Sequence, residues 1–585
     1  MKKLKKQQSL SISKPWIKFY DEGVPKTIDY PDKMLWEYIS DSAKKNPNDI
    51  AYEYYGSSAS FKKLMKEIEE CARSLKTIGV KKDDVVTICS PNMPQAISIF
   101  YAINMVGAIA NMVHPLSALK EIGHFMEVSK SKYVFTIDLA LEKFLQVVDN
   151  SEIEKIVVMS AGDKMKGITK VAYNLTKGRK IKVDFDNEYL LSYNSFIDFG
   201  YMYDGSYICK RKSTDPAVIL YSGGTTGEPK GIVISNKSFN AATLQTGSMI
   251  QPASAGDSVL TIMPIFHAFG LDVCIHTPLT YGVKCILIPV FNYKAFGRLI
   301  KQYKPNFIVG VPTLLQTMIN DPGLSEMNLS FIKCIITGGD VVSPELKSSV
   351  DKFMKEHGSS ATVRSGYGLT EGSGASSLLP KTVQKKGSTG IPCQDCTYKI
   401  VNPETLEEVL PNKVGEILIS GPNVMIGYLN DEEQTNKTLI KDDDGVVWLR
   451  TGDMGSMDED GFIYFAQRLK RVIISSGYNL YPSHIESVIR KYPYVEDVCV
   501  IGISHPYKVQ VAKAFIVLKD GVSEDRAKKE IKKLCELYLA KYSLPYQYEI
   551  RESLPRTNLG KIAYKELESE EKEKKDYNTF KVHTK

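Results

Sequence analysis

The sequence predicts an α/β protein: a large N-terminal domain of β-sheets layered with helices plus a β-rich subdomain, and a small α+β C-terminal domain. Three observations predict it. From Asp83 onward, short apolar β runs alternate with helical runs, the pattern of a largely parallel sheet covered by helices. Between about 390 and 466 the pattern changes to short alternating strands among Gly and Pro turns. Past Arg471 it restarts as a shorter α+β pattern, which sets a boundary near Lys470. The expected organisation is a lead-in over 1–30, the main domain over 31–469, a C-terminal domain over 470–565 and a charged tail over 566–585.

In chain order, Lys14-Pro15-Trp16 and Gly23-Val24-Pro25 read as a loose polar lead-in. Leu35 to Lys45 has helical spacing. Val85 to Cys89 reads as a buried strand. Ser90-Pro91-Asn92 reads as the cap of a helix running from about Met93 to Val106. Ala108 to Val113, Tyr133 to Thr136 and Ile156 to Met159 continue as strands. Ser258 to Met263, Cys285 to Ile288, Phe307 to Val311 and Ile332 to Thr337 resume the series, with helices over Lys294 to Gln302 and from Pro312. Glu416 to Ile419 typifies the β-rich region. Ser483 to Arg490 reads as a helix with a Ser cap. Val495 to Ile503 and Ala512 to Leu518 read as strands, and Asp525 to Leu539 as a helix. The tail from Glu566 reads as a solvated, frayed end.

Composition bounds the class. The 585 residues allow several domains with a large core. Hydrophobic residues at 43% and charged residues at 24% are those of an ordinary globular protein. A net charge of +7, from 75 basic and 68 acidic residues, argues against a dedicated nucleic-acid binder, and no basic stripe interleaves with aromatics. The ten cysteines are scattered, mostly inside apolar runs, and the lone pair Cys393 and Cys396 does not make a zinc site. Reduced thiols in a cytoplasmic protein are expected. The basic start is followed by polar residues rather than an apolar segment, so no secretory signal is expected. No apolar stretch is long enough to span a bilayer. Peripheral contact with the inner membrane surface stays open.

The stretch Tyr221-Ser222-Gly223-Gly224-Thr225-Thr226-Gly227-Glu228-Pro229-Lys230-Gly231 lies between two apolar runs, as a wide hairpin would. Its glycines let successive backbone N–H groups converge on an anion. Ser222, Thr225 and Thr226 add hydroxyls, and Lys230 adds a charge. Pro229 and the following strand-like run exclude a Walker A loop. An exposed hairpin tip has the same composition. Gly366-Tyr367-Gly368-Leu369-Thr370-Glu371 places an aromatic between glycines, where a ring can lie against a purine, and adds a carboxylate that can hold Mg²⁺. Read alone it is also an ordinary turn. In Thr451-Gly452-Asp453 a carboxylate on a tight turn can accept both hydroxyls of a ribose. Lys561, in Pro555-Arg556-Thr557-Asn558-Leu559-Gly560-Lys561, is by itself one of many surface lysines.

Taken in order, these motifs resemble the adenylate-forming (AMP-binding) acyl-CoA synthetase family over roughly residues 30 to 565. The 221–231 loop is similar to the family's phosphate-binding signature, so the resemblance assigns ATP phosphates to Ser222, Gly223, Gly224, Thr225, Thr226, Gly227 and Lys230. It implies that Tyr367, between Gly366 and Gly368, packs on adenine beside Gly338 and Gly339. It implies that Thr370 contacts the α-phosphate and that Glu371, with Thr226, ligates Mg²⁺. It gives Asp453 and Arg468 the ribose, Lys470 the hinge, and Gly477 and Tyr478 the pantetheine tunnel. It places the acyl group near His267, Val311, Gly339 and Gly372. A structural histidine is the other reading of His267. Lys561 matches the family's C-terminal lysine, a cation that bridges an attacking carboxylate and the phosphate it attacks. The family usually has Gly or Asp before the ribose arginine; here it is Gln467, which puts the local hinge geometry in question.

The resemblance implies a mobile C-terminal domain and two steps: acyl-adenylate formation from ATP·Mg²⁺ and a carboxylic acid, then transfer to coenzyme A. Lys14-Pro15-Trp16 and Ser90-Pro91-Asn92-Met93-Pro94-Gln95 look most like bacterial long-chain fatty acid–CoA ligases, so a medium- or long-chain fatty acid is the expected substrate. An aryl acid, a carrier protein as acceptor and a catalytically silent nucleotide-binding protein are the other readings. The intact Glu371 and Lys561 argue against the last.

Overall fold

The computed structural model describes residues 9–175, 183–222, 229–250, 253–475, 478–505, 509–539, 543–557 and 561–583. Two large sheets carry the main body. One runs, in spatial order, 391–392, 374–378, 363–369, 334–337, 307–310, 258–261, 284–287, 50–54, 57–60. The other runs 427–428, 230–235, 216–222, 109–113, 85–89, 133–137, 155–159, 190–192. Their central pairs are parallel, as the β/α alternation predicts. Helix Pro94–Met105 is buried at every residue. Helix Asn236–Ile250 is buried at nearly every residue and packs against strands of both sheets, so it is a central layer.

A third sheet, built of 397–401, 415–420, 447–457, 439–441 and 463–468, is the β-rich region. The fourth, of 478–480, 473–475, 509–518, 495–505 and 547–551, carries its own apolar core around Ile485, Val500 and Ile531. Among the described residues no helix is long and apolar enough to cross a membrane.

Four sequence expectations change. The lead-in is not loose: Leu10–Ser13 is helical, Pro15–Phe19 is a 3-10 turn, and Trp16 is 1% exposed in the main core. A Cβ on Gly461 would stand 2.8 Å from the Trp16 ring, so the indole needs a glycine beneath it. Asn92 does not cap a helix. Its Nδ2 donates to the carbonyls of Thr261 and Met263, both at 3.0 Å, and its Oδ1 accepts from Ile265 N at 2.8 Å. It thereby ties the second sheet to the segment that enters His267. The C-terminal-domain helix spans Pro482–Ile489 with Tyr481, not Ser483, at its N-cap. The tail is not frayed at its start: Tyr564–His583 is helical, and Leu567 is fully buried. Glu571 pairs with Lys513 at 2.8 Å and Glu570 with Arg551 at 2.7 Å. Charges that look solvated in the sequence face opposite charges on the sheet.

Candidate active site

The glycine-rich loop is closed by an antiparallel hairpin in which Tyr221 faces Gly231 and Ser222 faces Lys230. Gly223, Gly224, Thr225, Thr226 and Gly227 lie outside the described residues, as does the side chain of Ser222. Lys230 Nζ stands 3.6 Å from Asp431 Oδ2 and 5.3 Å from the Tyr428 ring centre. Both partners of that ion pair are well exposed, so the bond is weak and readily exchanged for a phosphate oxygen.

Tyr428 connects this lysine to the next motif, because its hydroxyl donates to Glu371 Oε1 at 3.0 Å. Thr370, Glu371 and Gly372 form a 3-10 turn at the end of strand Val363–Leu369. The Glu371 carbonyl accepts from Met425 N at 2.9 Å, and the Gly372 carbonyl accepts from Asn423 Nδ2 at 3.0 Å. Gly366-Tyr367-Gly368 is therefore strand rather than turn. A Cβ on Gly368 would stand 1.9 Å from the Gly374 carbonyl, so close strand approach is what demands the glycine.

Tyr367 is nearly buried, and its hydroxyl donates to Asp453 Oδ2 at 2.6 Å. Asp453 also departs from the tight-turn expectation. It lies within strand Val447–Met457, after Gly452 at φ +66°, opposite Arg468 in the pairing register. Arg468 Nε stands 3.0 Å from Asp453 Oδ1, at ion-pair distance but out of line for a hydrogen bond, so among the described residues that buried oxygen keeps an unused acceptor. Burial raises the Asp453 carboxyl above its ordinary range, against the pull of Arg468 and Tyr367. Burial works hardest against the Arg468 guanidinium, but Asp453, Tyr367 and Glu371 with Tyr564 together outweigh it and raise Arg468. A buried acceptor flanked by a cation fits a sugar hydroxyl.

The strand ends of the first sheet form the opposite wall. Gly338 and Gly339 follow strand Cys334–Thr337, and Val311 follows Phe307–Gly310. Gly339 has φ +76°, a backbone region that favours glycine, and its missing Cβ would lie 3.8 Å from Val311 Cγ1. The same two strands contribute Val309 and Ile336 to an apolar cavity lined also by Val273, Ile250, Phe307 and Tyr281. Gly372 lies on its 3-10 turn, where a Cβ would meet Leu369 and Asn423.

His267 precedes a π-helix at Phe269–His276. Its Nδ1 accepts from Phe269 N at 3.3 Å, which leaves the ring proton on Nε2. The residue is half-buried, and the surrounding protein strips the imidazolium of water. Burial, then the nearby Lys561 cation, push its pKa down to about 4. Lys561 is thus in the site. Burial lowers its own pKa, Arg468 adds to the effect, and Asp340 and Asp453 oppose it. The chain folds Lys561 back with hydrogen bonds from Thr557 N to its carbonyl at 2.7 Å and from Ala563 N to Pro555 O at 2.8 Å.

The structure therefore gathers Lys230, Tyr367, Glu371, Asp453, Arg468, His267 and Lys561 from six separate segments. Lys470 lies in the 3-10 turn Leu469–Arg471 between the two domains, with its side chain outside the described set. Gly477 also lies outside it, and Tyr478 opens strand Tyr478–Leu480. Sequence reasoning missed Tyr428 and the positioning role of Asn92. Each acts on a residue far away in the chain, and neither stands in a motif that announces it.

Comparison with known proteins gives the family. Residues 39–429 match the family of AMP-binding enzymes, and residues 484–561 match the AMP-binding enzyme C-terminal domain. A long-chain-fatty-acid–CoA ligase of Bacillus subtilis is 32% identical over 96% of this chain and 99% of its own. A probable 4-coumarate–CoA ligase 1 of Dictyostelium discoideum is 29% identical over 94% of this chain and 96% of its own. The fold superposes on ATP-bound MatB from Rhodopseudomonas palustris with a TM-score of 0.80, at 22% identity, covering 92% of this chain and 99% of the other. With both family domains present in order and a relative 32% identical over nearly the whole chain, the chain belongs to the AMP-binding enzyme family and is an adenylate-forming acid–thiol ligase.

Proposed function

We propose that this ligase converts a medium- or long-chain fatty acid to its CoA thioester, through an acyl-adenylate formed from ATP. The observation that carries the reading is the apolar cavity against the strands that lead to Val311 and Gly339, lined by Val309, Ile336, Val273, Ile250 and Phe307. The similarity to the Bacillus long-chain ligase supports the same reading.

In the first step Lys561 lies between the acid and the α-phosphate, offsetting the repulsion of two anions and fixing their approach. His267, neutral with its proton on Nε2, donates toward the acyl carboxylate without adding charge. Asp453 takes the ribose hydroxyls, with its orientation fixed by Tyr367. Thr370 faces the α-phosphate, and the 222–230 loop and Lys230 hold the outer phosphates. Among the described residues no cluster of three metal-ligating side chains exists. A lone Glu371 at a phosphate loop fits Mg²⁺, which takes one or two carboxylates and fills its other positions with phosphate oxygens and water. Bound there with Thr226, the ion would neutralise phosphate charge. In the second step the C-terminal domain turns about Lys470, withdrawing Lys561 and bringing Gly477 and Tyr478 to the site for coenzyme A.

The test is CoA-dependent AMP release with ATP and Mg²⁺, across acids from acetate to oleate plus benzoate and coumarate. Rates should climb with chain length until the cavity is filled, since each buried methylene contributes about 0.8 kcal/mol. A maximum on aryl acids would move the substrate to that of the Dictyostelium relative's name. Pyrophosphate exchange without CoA dependence would point to a carrier-protein acceptor. Silence in both assays would leave a nucleotide-binding protein.

A further inference from the structure

We propose that Gln467 is a positioning residue that latches the C-terminal domain in the arrangement that places Lys561 in the site. The inference rests on the two-arrangement reading of the reaction given above. Gln467 belongs to strand Ile463–Arg468 of the third sheet, on the N-terminal side of the turn Leu469–Arg471, and is 2% exposed. Its Oε1 accepts from Ser483 N at 3.4 Å and from Ser483 Oγ at 3.3 Å. Ser483 belongs to helix Pro482–Ile489, on the far side of the same turn.

The contact answers a local need of that helix. A helix begins with N–H groups that have no partner within it. Tyr481 occupies the N-cap and makes no side-chain cap, and Pro482 has no N–H to satisfy. The next N–H is that of Ser483, and the main domain supplies its acceptor. Gln467 thus caps the helix across the hinge. Any rotation about residues 469–471 carries Ser483 away from Gln467, so the cap exists only while the domains stand as they do here. In this arrangement Lys561 is close enough to feel Asp340, Arg468 and Asp453. The Gln467 Nε2, buried and without a partner among the described residues, gains nothing from the enclosure, so the acceptor oxygen is the useful end.

The two half-reactions separate this role from a structural one. Pyrophosphate exchange reads adenylation, and CoA-dependent AMP release from supplied acyl-adenylate reads transfer. Gln467→Leu keeps the side-chain bulk and removes the acceptor. It should slow exchange by roughly three- to fivefold, the scale of losing one long helix-cap bond, and leave transfer unchanged or faster. Gln467→Glu restores an acceptor and should recover exchange. Ser483→Ala, which keeps the N–H and loses only the hydroxyl, should show a smaller loss of the same sign. Equal losses in both half-reactions, or none in either, overturn the latch. Lys561→Ala run alongside separates the levels. If it abolishes exchange while Gln467→Leu leaves the ratio of the two rates unchanged, the latch alone fails. If Lys561→Ala leaves exchange intact, the two-arrangement reading fails and the latch falls with it.

Discussion

The Tyr367 hydroxyl donates to Asp453 Oδ2 at 2.6 Å inside the protein, and this bond opposes the burial that raises the Asp453 carboxyl. Because the folded-state pKa of Asp453 lies above its unfolded value, its contribution to stability is full below the unfolded pKa and is lost as pH rises through the folded one. Ionised Asp453 is therefore held at a cost to the fold, and Tyr367 reduces that cost. Tyr367→Phe should raise the Asp453 pKa further and move the acid limb of the pyrophosphate-exchange profile up by about one pH unit, the size of a hydrogen bond to a charged group. An unmoved acid limb would separate Asp453 from nucleotide binding.

Lys561 makes the opposite demand on pH, because it acts as a cation while burial lowers its pKa. Exchange should fall on the alkaline side earlier than an ordinary lysine would require. Lys561→Arg should remove that limb, since a guanidinium stays charged. Lys561→Ala should slow exchange by about two orders of magnitude or more, the scale of one lost charge-stabilising contact. Transfer from supplied acyl-adenylate should be spared in the same variant.

Much of this was legible in the chain because it is local. Strands such as Val85–Cys89 and helix Leu35–Lys45 follow from side-chain periodicity within themselves. The roles of the motif residues follow from the family resemblance that their order carries. What the sequence hides is pairing between distant segments. Tyr367 and Asp453 are 86 residues apart, and Tyr428 and Glu371 are 57 apart, so neither bond has a local signal. Asn92 looks like a helix cap because Asn before a helix usually is one; here the carbonyls of the adjoining sheet outcompete that role. Trp16 looks like part of a polar lead-in because its partner, Gly461, lies at the other end of the main domain.

Asn92 should therefore matter to the site without touching a substrate. It makes three hydrogen bonds that position the segment 261–265 leading to His267. Asn92→Ala should lower stability by about 3 kcal/mol in chemical denaturation, near 1 kcal/mol for each buried bond. It should also reduce the exchange rate of the protein that remains folded. Asn92→Asp should do no better, because a carboxylate would face the Thr261 and Met263 carbonyls that the amide now satisfies. Wild-type exchange from a destabilised Asn92→Ala would show that His267 does not depend on the segment's placement.

Tyr281 should set the length of chain that the apolar cavity accepts. Its ring lines the cavity, its hydroxyl donates to the Leu244 carbonyl at 3.2 Å, and a Cβ on Gly247 would lie 2.1 Å from it. The ring therefore leans into helix Asn236–Ile250 through a space that only glycine leaves. Tyr281→Ala should lengthen the cavity and move the optimum toward longer acids, with roughly a fourfold gain in kcat/KM for each added methylene that becomes buried. Gly247→Ala should act in the other sense: the new methyl displaces the ring, and displacement toward the cavity shortens the accepted chain. Acetate and other short acids, which end before the ring, should be little affected by either change. An acid panel that keeps its optimum in both variants would place the end of the acyl chain elsewhere than at Tyr281.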